Sequence, residues 1–173
     1  MVKINIEHVF QDITPQQFWA LLLNPDFDKS LEPALGVKVR QELERRDEGN
    51  TIKRKARVVP GFPVPGPVQK LFAGKELEYL EESCFYKDRQ TMDWKSTPNL
   101  FPDKVKAAGE VIVKQEGTGV RRFITGNIDV DIFGVGRILE ATVKDGVVKS
   151  YEKASEHTRN WIRQGKHKNL TVG

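Results

Sequence analysis

The feature that most constrains the fold is a long amphipathic segment near the C-terminal end of the sequence. From about residue 135 to 164, one stripe of residues recurs with the 3.6-residue period of an α-helix. The stripe contains Ile138, Leu139, Thr142, Val143, Val147, Tyr151, Ala154, Trp161 and Ile162. At 1.5 Å per residue, such a helix is roughly 45 Å long. It needs a broad apolar surface to cover, and a sheet of about seven strands supplies one.

The N-terminal part predicts one strand followed by two short helices. Residues 2–10 alternate apolar and mostly polar side chains, which is the period of a strand. Thr14 and Gln17 can form a capping box at the start of a first helix. A second helix is predicted from Asp26 to about Leu35, and Gly36 ends it.

Six further strands are predicted between residues 37 and 130. The first two form a hairpin around the turn at residues 47–50, because each alternates apolar and charged side chains. In the first strand, the apolar phase holds Val37, Val39, Gln41 and Leu43. In the second strand, it holds Ile52, Arg54, Ala56 and Val58. The later strands are marked by Leu77, Tyr79 and Phe85, by Met92 and Trp94, by Val105 to Val113, and by Val120 to Val130.

Composition narrows the possible partners and compartments. The net charge is only +4, and basic residues alternate with acidic ones along most of the chain, unlike the clustered basic stripe of a nucleic-acid binder. Weak attraction to anionic membranes is the alternative interpretation. Cys84 is the only cysteine, and the sequence contains no apolar run or leader that predicts a membrane span or secretion. We therefore expect a cytoplasmic protein, with residues 1–173 forming one domain and residues 163–173 forming a loose basic tail.

The predicted order of strand, two helices, six strands and long helix resembles the START-like (helix-grip, SRPBCC) superfamily. That superfamily includes polyketide cyclases, plant Bet v 1-like proteins and lipid-transfer START domains. Residues 131–140 (DIFGVGRILE) and 156–161 (EHTRNW) are similar to the last strand and long helix of a bacterial branch of it. The resemblance implies an α+β fold with a curved antiparallel sheet, and an apolar ligand cavity between the sheet and the long helix.

Polar groups on the inward phase of the strands are the first candidates for ligand binding. Arg54 shares its phase with Ile52, and Arg122 shares its phase with Val120 and Ile124. A buried unpaired charge is costly, so each arginine needs an acidic partner or an anionic ligand, and Glu81 is the expected protein partner. Alternatively, a bulge reverses the phase, or the arginines extend to water at strand ends.

Larger side chains on the sheet and helix are core residues or, if the cavity is open, its walls. Among these we expect Tyr79, Met92, Trp94 and Phe133 to contact a ligand. Thr142 and Tyr151 on the long helix can offer it hydroxyl groups.

Motifs for catalysis and for metal or cofactor binding are not found in the sequence. The three histidines do not have the spacing of metal ligands. The segment Gly134-Val135-Gly136 lacks the third glycine of a dinucleotide-binding motif, and it predicts a tight junction between a strand and a helix instead. Two hypotheses remain: a non-catalytic binder or carrier of a lipid or other apolar molecule, and a cyclase or dehydratase acting in the same cavity. A third hypothesis is a protein-interaction domain whose core is filled, so that it has no ligand cavity.

Two proline-bounded loops carry apolar residues that are candidates for a gate. The resemblance implies that loops near one end of the long helix gate the cavity. The candidates are Phe62, Val64 and Phe72 around the first loop, and Leu100 and Phe101 in the second. Nearby lysines favour a transient membrane contact by the same residues. The alternative is that they fold back onto the core.

Overall fold

The computed structural model describes residues 1–61 and 63–172. It contains seven strands and four helices in an α+β arrangement. The elements are β1 (Val2–Phe10), α1 (Pro15–Leu22), α2 (Pro25–Leu35), β2 (Val39–Glu48), β3 (Thr51–Val59), α3 (Gly66–Leu71), β4 (Tyr79–Tyr86), β5 (Thr91–Pro98), β6 (Val105–Glu116), β7 (Gly119–Val130) and α4 (Gly136–Arg163). Along the chain the elements follow the predicted order, with the short helix α3 in addition between β3 and β4. The strands form one antiparallel sheet in the order β1-β7-β6-β5-β4-β3-β2.

The two N-terminal helices begin and end where their capping residues predict. The Thr14 side chain accepts a hydrogen bond from the Gln17 amide, and the Gln17 side chain accepts one from the Thr14 amide. Asn24 accepts bonds from the first amides of α2, and Gly36 ends that helix with a φ of 68°. These caps satisfy backbone groups that would otherwise lack partners, so they fix both helix positions.

In every strand except β2, the residues predicted to point to the inner face of the sheet do so. In β3, Ile52, Arg54, Ala56 and Val58 are all buried on the inner face. In β2, by contrast, Arg40 and Glu42 pair with Val58 and Ala56 and so lie on that inner face. The predicted inner residues Gln41 and Leu43 point outward, and Leu43 is 53% exposed. The reversed phase, together with a register shift between Glu42 and Glu44, leaves the inner face of this edge strand charged.

Helix α4 lies over the sheet with much of its apolar stripe only half-buried. Leu139 is buried, whereas Val143, Val147, Tyr151 and Ala154 keep partial exposure. Ile138, predicted on the stripe, is 44% exposed. A helix in full contact with a sheet buries its apolar face, so part of this stripe faces a space.

The C-terminal end of α4 and the residues after it pack against α2 and the turn between β1 and α1. His157 Nε2 lies 2.7 Å from Ser30 Oγ, and Phe27 packs edge-on against Trp161 at 5.2 Å. His167 is buried and donates a hydrogen bond to the Asp12 carbonyl oxygen at 3.0 Å. Leu170 is partly buried and packs against the core, so His167 and Leu170 both contact the folded domain.

Candidate functional site

A cavity of about 290 Å³ lies between the inner face of the sheet and α4. Its walls come from the inner face of the sheet, from α2 and α4, and from the loop after β5. Seven of the predicted ligand-binding residues line it: Arg54, Tyr79, Glu81, Met92, Trp94, Arg122 and Tyr151. The sequence thus placed them on the correct face of the sheet or helix; their role toward a ligand stays a proposal.

The floor of the cavity is shaped by one tryptophan lying over two glycines. Trp94 pairs with Gly109 across the sheet, and Gly109 pairs with Gly126. A Cβ atom would lie 2.7 Å from Trp94 Cζ2 at Gly109 and 2.5 Å from it at Gly126. Only glycine leaves room for the indole at this distance. Trp94 Nε1 is buried and has no hydrogen-bond partner among the described residues.

A charged cluster forms the wall nearest β2 and α2. Asp28 Oδ1 accepts bonds from Arg40 Nη2 at 3.0 Å and from Arg54 Nη2 at 2.9 Å. Arg40 also reaches Glu81 at 3.1 Å, and Arg54 reaches Glu42 at 2.8 Å. The expected pairing of Glu81 with Arg54 or Arg122 is therefore wrong, because the reversed phase of β2 places Arg40 beside Glu81.

The opposite charges in this cluster stabilise each other, as the pKa values of Asp28 and Arg40 show. Burial acts to raise the pKa of Asp28, but the two arginines outweigh it and hold that pKa below its usual value. Burial likewise acts to lower the pKa of Arg40, and Glu81 and Asp28 more than reverse this. Both partners are therefore ionised, and the cluster is a compensated ion-pair network.

Arg122 lies farther along the inner face of β7 in a different environment. It is 3% exposed, and its Nη2 donates to His8 Nδ1 at 2.9 Å. His8 Nε2 in turn donates to Glu152 Oε1 at 3.0 Å. Because Nδ1 accepts and Nε2 donates, His8 is the neutral tautomer. Burial and the nearby arginine lower the pKa of His8, which agrees with that assignment.

Aromatic faces surround the Arg122 guanidinium in place of a carboxylate. Its central carbon lies 5.2 Å from the Phe10 ring centroid, 5.4 Å from that of Tyr151 and 6.0 Å from that of Phe18. Burial lowers the pKa of Arg122 to about 10, so it remains a cation at neutral pH. Cation–π contacts of this kind offset only part of the cost of burying a charge.

Two tyrosines add hydroxyl groups to the cavity wall. Burial raises the pKa of Tyr151 to about 12 and also raises the pKa of Tyr79. Both phenols are protonated at neutral pH and can donate one hydrogen bond each to a ligand.

Two predicted ligand-binding residues lie outside the cavity. Phe133 is fully exposed, at 104%, because the junction between β7 and α4 turns away from the core at Gly134, where φ is 81°. The Thr142 hydroxyl donates to the Ile138 carbonyl within α4, and its side chain is not part of the cavity wall. Phe133 follows the last strand, and Thr142, although predicted on the stripe, does not face the cavity.

The predicted gate residues divide between the two loops. Phe72 is buried and lines the cavity, and Val64 is half-buried against the core, so neither is an exposed tip. Leu100 and Phe101 line the cavity, and Phe101 is 37% exposed with a φ of 56°. Phe62 lies outside the described residues. The second loop therefore touches both the cavity and solvent.

Neither a metal cluster nor a membrane-spanning helix is found in the described part of the chain. No group of three or more His, Cys, Asp or Glu side chains there is arranged to hold a metal ion. No helix there is both long and apolar enough to cross a bilayer.

The architecture and the cavity define a START-like, helix-grip fold. The protein TTHA0849 from Thermus thermophilus is similar with a TM-score of 0.64 and 19% identity, over 90% of this chain and 96% of that chain. The Zhui aromatase/cyclase from a Streptomyces species is similar with a TM-score of 0.63 and 12% identity, over 93% of this chain and 96% of that chain. A START superfamily protein from Mycobacterium smegmatis is similar with a TM-score of 0.56 and 11% identity, over 94% of this chain and 97% of that chain. At these identities the likeness shows the fold alone.

A family model that matches most of the sequence identifies the family of this protein among proteins with the START-like fold. The model of the family described as "Protein of unknown function (DUF2505)" matches residues 6–162, so the chain belongs to that family. A search of curated proteins found no match to the sequence.

Proposed function

We propose that the protein binds or carries a lipid or other apolar small molecule in the cavity between the sheet and α4, without catalysis. The observation that carries the proposal is the half-buried apolar stripe of α4 facing a cavity of about 290 Å³. Ligand sites are typically concave and mostly apolar, with a few placed polar groups, and this cavity has that composition. The single Cys84, which leaves no internal disulfide, fits action in a reducing compartment such as the cytoplasm.

The charges in the cavity favour binding over the alternative of a cyclase or dehydratase. General acid–base catalysis needs a group free to take up or release a proton near neutral pH. The carboxylates that line the cavity, Asp28 and Glu81, are both ion-paired with Arg40, and the pKa of Asp28 is held low. The tyrosines have raised pKa values. These groups suit orientation of a ligand better than proton transfer.

Filling the cavity tests the proposal directly. Ala107 lines the cavity, and Ala108, its neighbour in β6, points to the opposite, exposed face. We expect Ala107→Trp to weaken binding of the neutral fluorophore phenylnaphthylamine at least about 10-fold, because the indole occupies ligand space and a tenfold loss needs only about 1.4 kcal/mol. Fluorescence titration measures the affinity, and thermal melting checks that each variant is folded.

Ala108→Trp is the matched control, since it adds the same side chain outside the cavity. Wild-type affinity is expected for it. Equal probe binding by wild type and both variants contradicts a ligand in the cavity, as does failure of the wild type to bind. If Ala107→Trp melts early, Ala107→Leu provides a smaller obstruction for the same comparison.

We further propose that Leu100 and Phe101 form the gate through which the ligand enters, and that they rest transiently on a membrane. Phe101 is exposed and borders the cavity, and Lys104 follows it in the same loop. Phe101→Ser is expected to change the rate of probe uptake more than its affinity, and to reduce flotation with anionic vesicles at low salt. Unchanged uptake rates contradict the gate, and equal flotation contradicts the membrane contact.

A further inference from the structure

Arg122 is the cation in the cavity wall that lacks a carboxylate partner among the described residues. The other two cavity arginines, Arg40 and Arg54, share Asp28 and each has a second carboxylate. Within the described part of the chain, the one hydrogen bond of Arg122 goes to a neutral histidine. Glu152 lies beyond that histidine with its side chain 62% exposed, so its charge is largely solvated. Buried charges are normally paired, and this one is an exception that needs a reason.

The hydrogen-bonding capacity of Arg122 is also unfilled. A guanidinium offers five N–H donors. Its Nη2 uses one of them on His8, whereas Nε is buried and has no partner among the described residues. Trp94 Nε1, in the same cavity, is a second buried donor without a partner there. The cavity thus holds one cation, Arg122, without a carboxylate partner, and two unused donors, with the Tyr151 ring beside Arg122.

From this arrangement we infer that the ligand carries a monoanionic oxyanion headgroup, such as a carboxylate or a phosphodiester, and that this headgroup binds Arg122. The inference rests on the proposed function of the cavity and names the class of ligand. The oxyanion supplies the missing acceptors for the Arg122 guanidinium, and charge-assisted bonds of this kind are the strong ones.

Strand register sets the orientation of such a ligand. Arg122 pairs with His8 and Val113, whereas Val130, at the other end of β7, pairs with Val105 beside the loop that holds Phe101. Eight residues separate Arg122 from Val130, which corresponds to roughly 27 Å along a strand. Between these ends the inner face carries apolar residues such as Ile124 and Ile128. The headgroup therefore lies at the end beside α1, and the apolar tail runs toward the loop.

The test compares two ligands that share one tail. Dodecanoate and dodecanol displace phenylnaphthylamine from the full-length protein, and the ratio of their dissociation constants measures the contribution of the charge. We expect dodecanoate to bind roughly 10- to 100-fold more tightly, since a hydrogen bond to a charged group contributes about that much. Acetate, the same headgroup without a tail, is expected not to displace the probe at the same concentration.

Variants of two adjacent arginines locate the headgroup. Arg122→Met removes the charge but keeps an unbranched side chain, and we expect it to lose the preference for dodecanoate while still binding dodecanol. Arg121→Met is the matched control, because Arg121 lies on the outer face of β7 and pairs with Glu116 and Glu7. It should retain the wild-type ratio. Without ligand, the melting temperature of Arg122→Met is expected to equal or exceed that of the wild type, because an unpaired buried charge has been removed.

The outcomes separate this inference from the proposed function. Equal affinity of the wild type for dodecanoate and dodecanol contradicts the headgroup site but leaves the apolar cavity supported. The same holds if Arg122→Met keeps the full preference. Acetate competing as well as dodecanoate would instead contradict the proposed function, because the apolar tail would then contribute nothing to binding. Failure of every probe to bind the wild type contradicts the proposed function itself. Should Arg122→Met melt early, Arg122→Gln gives the same charge removal with a polar end.

Discussion

Truncation after Gly134 is expected to abolish cooperative folding. The truncated chain lacks all of α4, which covers the inner face of β1 and β7 and packs against α2. It would expose the inner face of the sheet, including Ile4, Ile124 and Ile128. Each fully buried aliphatic side chain contributes about 1.5–3 kcal/mol, so exposing several of them exceeds a typical domain stability of about 5–15 kcal/mol.

Circular dichroism melting and size-exclusion chromatography measure this effect. The expected result is a truncated protein that aggregates or shows no thermal transition. Ile138→Ser in the full-length chain is the control, since that exposed side chain of α4 should tolerate the change with little loss of stability. A truncated chain that stays monomeric and melts cooperatively would show that the sheet does not depend on the helix.

Asp28→Ala is expected to lower the free energy of unfolding by about 3 kcal/mol. Removing one member of a buried ion pair leaves an uncompensated charge, and such losses typically reach about 3–5 kcal/mol. Asp28 serves two buried arginines, but Arg40 keeps Glu81 and Arg54 keeps Glu42, so the lower end of that range applies. Urea unfolding at neutral pH measures the change. Asp26→Ala is the matched control, because Asp26 lies in the same first turn of α2 but is exposed.

The same cluster gives the stability a defined dependence on pH. The pKa of Asp28 is lower in the folded protein than in the unfolded chain, so its contribution is fully present above the unfolded pKa of about 3.9. That contribution is lost as the pH falls through the folded pKa. The difference in stability between the wild type and Asp28→Asn should therefore shrink on acidification below about pH 4. A constant difference down to the lowest pH would contradict the ion-pair account, as would an Asp26→Ala variant as unstable as Asp28→Ala.

The sequence predicted the fold well because its periodic signals are long. The stripe of α4, the caps at Thr14 and Gly36, and the phase of β3 are local patterns that packing did not override. Arg54 and Arg122 were placed on the inner face by the same alternation. Each of these predictions depended on one element at a time, which is where periodicity is informative.

The parts that the sequence did not predict depend on contacts between elements. Strand β2 has charged residues on both of its faces, so its alternation predicted that Leu43, and not Arg40, points toward the cavity. Only the pairing of β2 with β3 and the proximity of Asp28 decide which residues face inward. No local pattern in the sequence distinguishes Asp28 from the other polar residues of α2. The signal available in the sequence was the inward phase of Arg54, which required an acidic partner but did not identify it. Phe133, by contrast, is apolar yet exposed, and hydrophobicity alone gave it the wrong place.

The most direct test of the central claim is native mass spectrometry of the protein purified from its own host. We predict a folded species heavier than the polypeptide, with the added mass released on denaturation and identified as an amphiphile with an acidic headgroup. The Ala107→Trp variant should lack the added mass, and Ala108→Trp should retain it. A bare polypeptide mass for the wild type, together with no binding of phenylnaphthylamine or dodecanoate, would contradict the account of this cavity as a ligand site.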